Sequence, residues 1–197
     1  RDFNRKPVWL ALAISSIGFA GMFCVFSYLA PTLLEVTGVG EHWIPVGLAA
    51  LGLGGIVGNI FGGWLFDKLG FKAIAWLLLW SIVVLLVFPL AAHSLWTILP
   101  AAFAVGTMVS LGPPQTHLMD VAGEAQTLAA ASNHSAFNVA NALGPWLGGL
   151  AISAGLGWTS TGYIGAATAA VGLLVFWWAW TASNPSEETR GAATACD

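Results

Sequence analysis

Three polar side chains fall at the spacing of a single helix face. His134, Asn138 and Asn141 stand at i, i+4 and i+7 within an otherwise apolar stretch. An imidazole and two amides at membrane depth can line a water-filled cavity or hydrogen-bond a polar solute, and the imidazole can change charge near neutral pH. Interhelical hydrogen bonding, worth about 0.6–2 kcal/mol in membranes, is the competing explanation. The opposite strip is Ala, Val and Leu, which favours the cavity. Gln115 and His117 follow Gly112-Pro113-Pro114. Two prolines remove two backbone donors and break or bend a helix, which is tolerated where the helix faces a cavity. His117 reads better as a surface histidine at a helix end. Glu35 is either an external-rim charge or a proton site, and the rim is favoured. Phe19, Phe23 and Phe26 share a face that forms an aromatic wall for a lipophilic solute or turns to lipid.

Covalent and metal chemistry find no support in these residues. Ser132 and Ser135 flank His134 on a regular helix, without the G-x-S-x loop an intramembrane serine protease needs. H-E-x-x-H is absent, and His117 with His134 lacks convergent acidic or Cys ligands for zinc. No Gly-rich phosphate loop occurs, so no nucleotide or other cofactor is expected. Cys24 and Cys196, in an apolar run and at the extreme tail, are not expected to pair. Six Lys plus Arg cannot build a nucleic-acid-binding face. A self-contained six-helix channel stays open as an alternative, although the only Asn-Pro, Asn184-Pro185, lies in the tail.

The elements that must carry these residues are membrane spans. The 197 residues are 57% hydrophobic and 8% charged, where soluble domains carry about 25% charge. Six apolar runs reach the roughly 20 residues a bilayer requires: Val8–Val36, Ile44–Phe66, Ala73–Ala92, Leu95–Leu118, Thr127–Ser153 and Gly162–Ala182. They are continuous rather than alternating, which excludes a β-barrel. The expected organisation is a connection over 1–7, a six-helix transmembrane bundle over 8–182 and a polar, disordered tail over 183–197. An even number of spans puts both termini on one side. Arg1, Arg5, Lys6, Lys68, Lys72 and Arg190 then share that side, which the positive-inside rule makes cytoplasmic.

Two groups of three spans echo each other. Ala30-Pro-Thr-Leu-Leu-Glu-Val ends the first span, and Gly112-Pro-Pro-Gln-Thr-His-Leu-Met-Asp-Val ends the fourth. Gly54, Gly58 and Gly62 lie four apart in the second; Ala140, Gly144 and Gly148 do so in the fifth. Because three is odd, repeated triplets are inverted, as in secondary transporters. Small residues every fourth place also simply permit close helix packing.

Gly62-Gly-Trp-Leu-Phe-Asp-Lys-Leu-Gly-Phe-Lys72 resembles the major facilitator signature G-x-L-a-D-[RK]-x-G-[RK]-[RK]. Gly63, Leu65, Asp67, Lys68, Gly70 and Lys72 match; Phe66 and Phe71 depart from it. Asn133 to Gly149 resembles the penultimate helix of bacterial efflux permeases, as do Phe26 to Leu34 and Trp43-Ile-Pro45 in their own places. The resemblance covers Val8 to Ala182 and implies the C-terminal six helices of a twelve-helix drug:proton antiporter, similar to chloramphenicol and arabinose efflux proteins. It implies export of a small organic molecule or drug against proton entry, a bacterial inner-membrane location, and partnership with a missing N-terminal half that holds the main proton-coupling acid. Gly63, Asp67, Lys68, Gly70 and Lys72 would form a conformational switch loop. Read without the family, Gly63 permits close helix approach, Asp67 sits where a helix gives way to a turn, and Gly70 allows that turn. Charges that merely keep a short connection in water would look the same.

Overall fold

The computed structural model describes residues 6–70, 72–111 and 126–183, with side chains described at 16–70, 72–109, 134–178 and 181. Among them are six α-helices and no strand. They are α1 (Lys6–Glu35), α2 (Ile44–Leu69), α3 (Lys72–Ala91), α4 (Leu95–Gly106), α5 (Gln126–Ser153) and α6 (Ser160–Ser183). Short 3-10 turns cover Glu41–Trp43 and Thr107–Leu111. Residues 1–5, the tail from 184 onward, and Gln115, His117 and Asp120 lie outside the described residues.

Length and composition make this a multi-pass membrane protein. The segments Ser16–Glu35, Glu41–Leu69, Lys72–Ala91 and Ser160–Trp178 are each long and apolar enough to cross a bilayer, with mean hydropathy from 1.4 to 2.6. The outward faces of α3 and α6 carry Leu79, Val83, Leu86, Leu174 and Trp177 in the open. Such surfaces are stable only in lipid. Three buried hydroxyls are satisfied within their own helices: Thr32 donates to the Tyr28 carbonyl at 2.6 Å, Ser81 to Leu77 at 2.8 Å and Thr168 to Gly165 at 2.8 Å.

The fourth span departs from expectation. Apolar sequence continues to Leu118, but α geometry stops at Gly106 and tightens to 3-10 over Thr107–Leu111. The Thr107 hydroxyl donates to the Ala104 carbonyl at 2.6 Å, and its own N–H is shared among the Phe103, Ala104 and Val105 carbonyls. Glycine followed by a threonine that competes for backbone acceptors loosens the α ladder ahead of the two prolines.

Two parallel seams organise the bundle. Along α2–α4, a Cβ at Gly54 would fall on the Phe103 carbonyl and one at Gly58 on the Thr107 carbonyl, while Gly106 faces the Leu51 carbonyl. Along α1–α5, a Cβ at Gly144 would fall on the Ala20 carbonyl and 2.8 Å from the Cys24 nitrogen, and one at Gly148 would lie 2.8 Å from Cys24 Sγ. Backbones this close leave no room for any side chain at the glycine. α6 runs antiparallel to α1 and α3; a Cβ at Gly165 would lie 2.9 Å from the Gly21 carbonyl oxygen and one at Gly162 2.7 Å from that of Leu85. Phe88, Leu85, Leu29, Leu33 and Ile98 fill the centre.

Candidate functional site

The polar residues of α5 adjoin the strip that packs on its neighbours. Ala136, Ala140, Gly144 and Gly148 are buried, the latter two against α1. His134, Asn138 and Asn141 are all exposed. Among the described residues none of the three has a hydrogen-bond partner. Among the described residues, then, these groups do not serve as internal glue.

The aromatic face of α1 divides. Phe19 and Phe23 are buried, with the Phe137 ring of α5 at 4.6 Å and 5.1 Å from theirs. Within this bundle they touch neither lipid nor an open cavity. Phe26 is 42% exposed and stacks edge-on against Phe23 at 6.5 Å, so it alone presents a ring to the outside. Glu35 closes α1 and is exposed.

Tyr28 was not singled out by its residue type, yet it fixes α5. Its hydroxyl donates to the Pro145 carbonyl at 2.9 Å, and Gly149 clears the space, since a Cβ there would lie 2.8 Å from that oxygen. A tyrosine inside an apolar span needs a partner for its hydroxyl, and Pro145 followed by Gly148-Gly149 was the available signal. Thr37 makes a comparable tie at the helix ends, donating to the Ala92 carbonyl at 2.7 Å.

The expected switch loop is shorter than its sequence suggests. α2 continues to Leu69, so Asp67 and Lys68 lie in its last turn rather than beyond it, because Gly70 is the first residue able to leave the helix. Gly70 has φ 54° and donates its N–H to the Phe66 carbonyl at 2.8 Å. Lys68 Nζ rests 4.2 Å above the Trp64 ring, a cation–π contact that holds the ammonium at the helix end. Asp67 and Lys72 are exposed. Gly63 makes no close approach within the described residues, for a Cβ there would meet nothing within 4 Å. The close approach on α2 belongs to Gly54 and Gly58 instead. A carboxylate in the C-terminal turn opposes the helix dipole, so Asp67 does not stabilise its own helix.

Comparison with known proteins accords with these features. No family model matches the chain. The inner membrane transport protein YdhP of Escherichia coli K12 is 33% identical over 87% of this chain and 44% of its own length. The uncharacterized MFS-type transporter YfhI of Bacillus subtilis is 35% identical over 77% of this chain and 38% of its own. A probable sugar efflux transporter of Helicobacter pylori is 28% identical over 88% and 44%. The chain thus spans less than half the length of these relatives. With these relatives, an apolar surface that belongs in lipid, and an α2 that ends in this loop signature, the chain belongs to the MFS-type transporters of the major facilitator superfamily.

Proposed function

We propose that these helices are the C-terminal half of a proton-coupled secondary transporter that exports a small organic solute by alternating access. One observation carries this reading: α5 exposes His134, Asn138 and Asn141 without hydrogen-bond partners among the described residues, while the exposed surfaces of α3 and α6 carry Leu79, Val83, Leu86, Leu174 and Trp177. Polar groups that face lipid are costly; the same groups facing a second half across a wet cavity are a binding wall. Phe26 adds an aromatic edge to it. The main proton-coupling acid is assigned to the other half, and both termini to the cytoplasm.

A 3+3 inverted repeat accounts for the packing. Exchanging α1, α2 and α3 with α4, α5 and α6 turns the α2–α4 seam into α1–α5 and leaves α3–α6 unchanged. Gly54 stands to Phe103 as Gly144 stands to Ala20, and Gly58 to Thr107 as Gly148 to Cys24. Asp67, Lys68 and Lys72 would dock on the second half at the cytoplasmic end, with the open position at Gly63 receiving one of its helices.

Substrate-protected labelling tests the reading. In the full-length protein with Cys24→Ser and Cys196→Ser, single cysteines at 134, 138 and 141 should react with small hydrophilic thiol reagents, and transported solute should slow the reaction. Cysteine at Ala136, which is 5% exposed, should stay inert. Three unreactive cysteines would mean that the face packs against another helix, and the cavity would be lost.

A further inference from the structure

We propose that the end of the bundle where α2 joins α3 binds an anionic phospholipid, its phosphate held by Lys68 and Lys72 and its acyl chains lying along the exposed ridges beneath them. The inference goes beyond the transporter reading and needs only the membrane location. On α2, Ile56, Ile60, Trp64 and Lys68 follow one another at steps of four, and all are exposed. On α3, Lys72, Trp76, Trp80, Val83 and Val87 do the same at steps of four, four, three and four. Each apolar ridge therefore runs out of the hydrocarbon to a tryptophan and then a lysine. The two lysines flank the turn at Gly70.

The ammonium of Lys68 is turned toward the ridge that meets lipid. Its Nζ lies 4.2 Å above the ring of Trp64, which is 51% exposed. Trp76, one turn from Lys72, is 61% exposed. Four residues of helix rise about 6 Å, which matches the headgroup layer of about 5–7 Å on each side of the hydrocarbon. A ring at the boundary leaves its lysine at the level of the phosphates.

The donors select the ligand. Both an ammonium and an indole N–H donate, and neither accepts. Trp80, a turn deeper, has given its N–H to the Thr107 hydroxyl at 3.0 Å. Among the described residues the N–H groups of Trp64 and Trp76 have no acceptor, and neither lysine is in an ion pair. Two cations with two neutral donors suit an anion rich in acceptors, here a phosphodiester with ester carbonyls beneath it. A zwitterionic headgroup brings a cation that these four groups cannot serve. Asp67, the carboxylate of this turn, stands about 100° round α2 from Lys68, on the ridge of Gly63. The lysines thus lie at the edge where the docking surface of this loop meets the bilayer.

Native mass spectrometry of the full-length protein in detergent tests the site, with phosphatidylglycerol and phosphatidylcholine of identical chains as probes. Phosphatidylglycerol should bind at least about tenfold more tightly. Lys68→Gln and Lys72→Gln should each weaken it about fivefold and leave phosphatidylcholine unchanged. Lys68→Arg with Lys72→Arg should keep the wild-type affinity, which separates lost charge from lost folding. Trp64→Phe with Trp76→Phe keeps the rings, removes the N–H donors and should weaken binding about threefold. Unchanged affinity in that pair would overturn the assignment of the indoles. Equal affinity for the two lipids, or glutamine variants that keep the wild-type preference, would overturn the site itself. So would displacement of the lipid by glycerol 3-phosphate, which would make it a site for a free phosphate. Because no transport is measured, each of these outcomes leaves the transporter reading as it stands.

Discussion

α2 and α5 are packed in the same way and finished differently. Each presses glycines four residues apart onto a parallel partner, Gly54 and Gly58 on α4, Gly144 and Gly148 on α1. On the sides turned away from these seams the likeness ends. α2 exposes Leu53, Ile56, Ile60, Phe61 and Trp64, with Asn59 as its single exposed amide. α5 exposes Val139, Trp146 and Leu150 on one side, and His134, Asn138 and Asn141 on another. Close packing constrains only the seam, because backbone contact there leaves no tolerance for side-chain volume. The outward faces are free to differ, and the polar one is where a transporter's chemistry can be placed.

The comparison breaks most sharply at the seams. Gly144→Leu and Gly54→Leu should each cost about 3 kcal/mol or more, since the new side chain would have to displace a carbonyl. Both variants should fail to give folded protein by size-exclusion chromatography in detergent. Gly63→Ala, which meets open space in this bundle, should fold normally. If one seam variant folded and the other did not, the equivalence of α2 and α5 would be lost.

A smaller effect is expected where the helices differ. Asn138→Leu should raise KM for the transported solute about tenfold while leaving Tm unchanged, because it removes a partner the bundle itself does not use. His134→Gln should weaken affinity less and leave proton-driven transport in place. Loss of proton dependence in that variant would move the coupling group into this half.

Tyr28→Phe should lower stability by about 1 kcal/mol, the net value of one hydrogen bond, measured as a shift in the thermal midpoint. Solute protection at 138 should weaken with it, since α5 would lose its tie to α1. The smallest change is expected on α2. Asn59→Leu should alter stability and transport by no more than about 0.5 kcal/mol, unless the second half reads that amide.

Much of the arrangement was legible in the residues. The polar stripe could be read because a helix repeats every 3.6 residues, which brings His134, Asn138 and Asn141 to one side. Four of the apolar runs form helices long and apolar enough to span a bilayer, whereas the α geometry of the fourth run stops at Gly106. Phe19, Phe23 and Phe26 show the limit of periodicity. It put them on one face but could not say that Phe137 would cover two of them. Gly63 shows the same limit, since a glycine in the sequence does not reveal whether a neighbour approaches it.

Composition and period by themselves determined that the chain crosses a membrane and which residues share a helix face, because both follow from local geometry and from transfer to lipid. Only the tertiary structure decided which face meets a partner. It committed Tyr28 to the Pro145 carbonyl, stopped α4 at Gly106 before the apolar sequence ended, and kept Asp67 inside the last turn of α2. Those outcomes depend on contacts between residues far apart in the chain, or on competition for single backbone acceptors, and neither is encoded in the spacing of residue types.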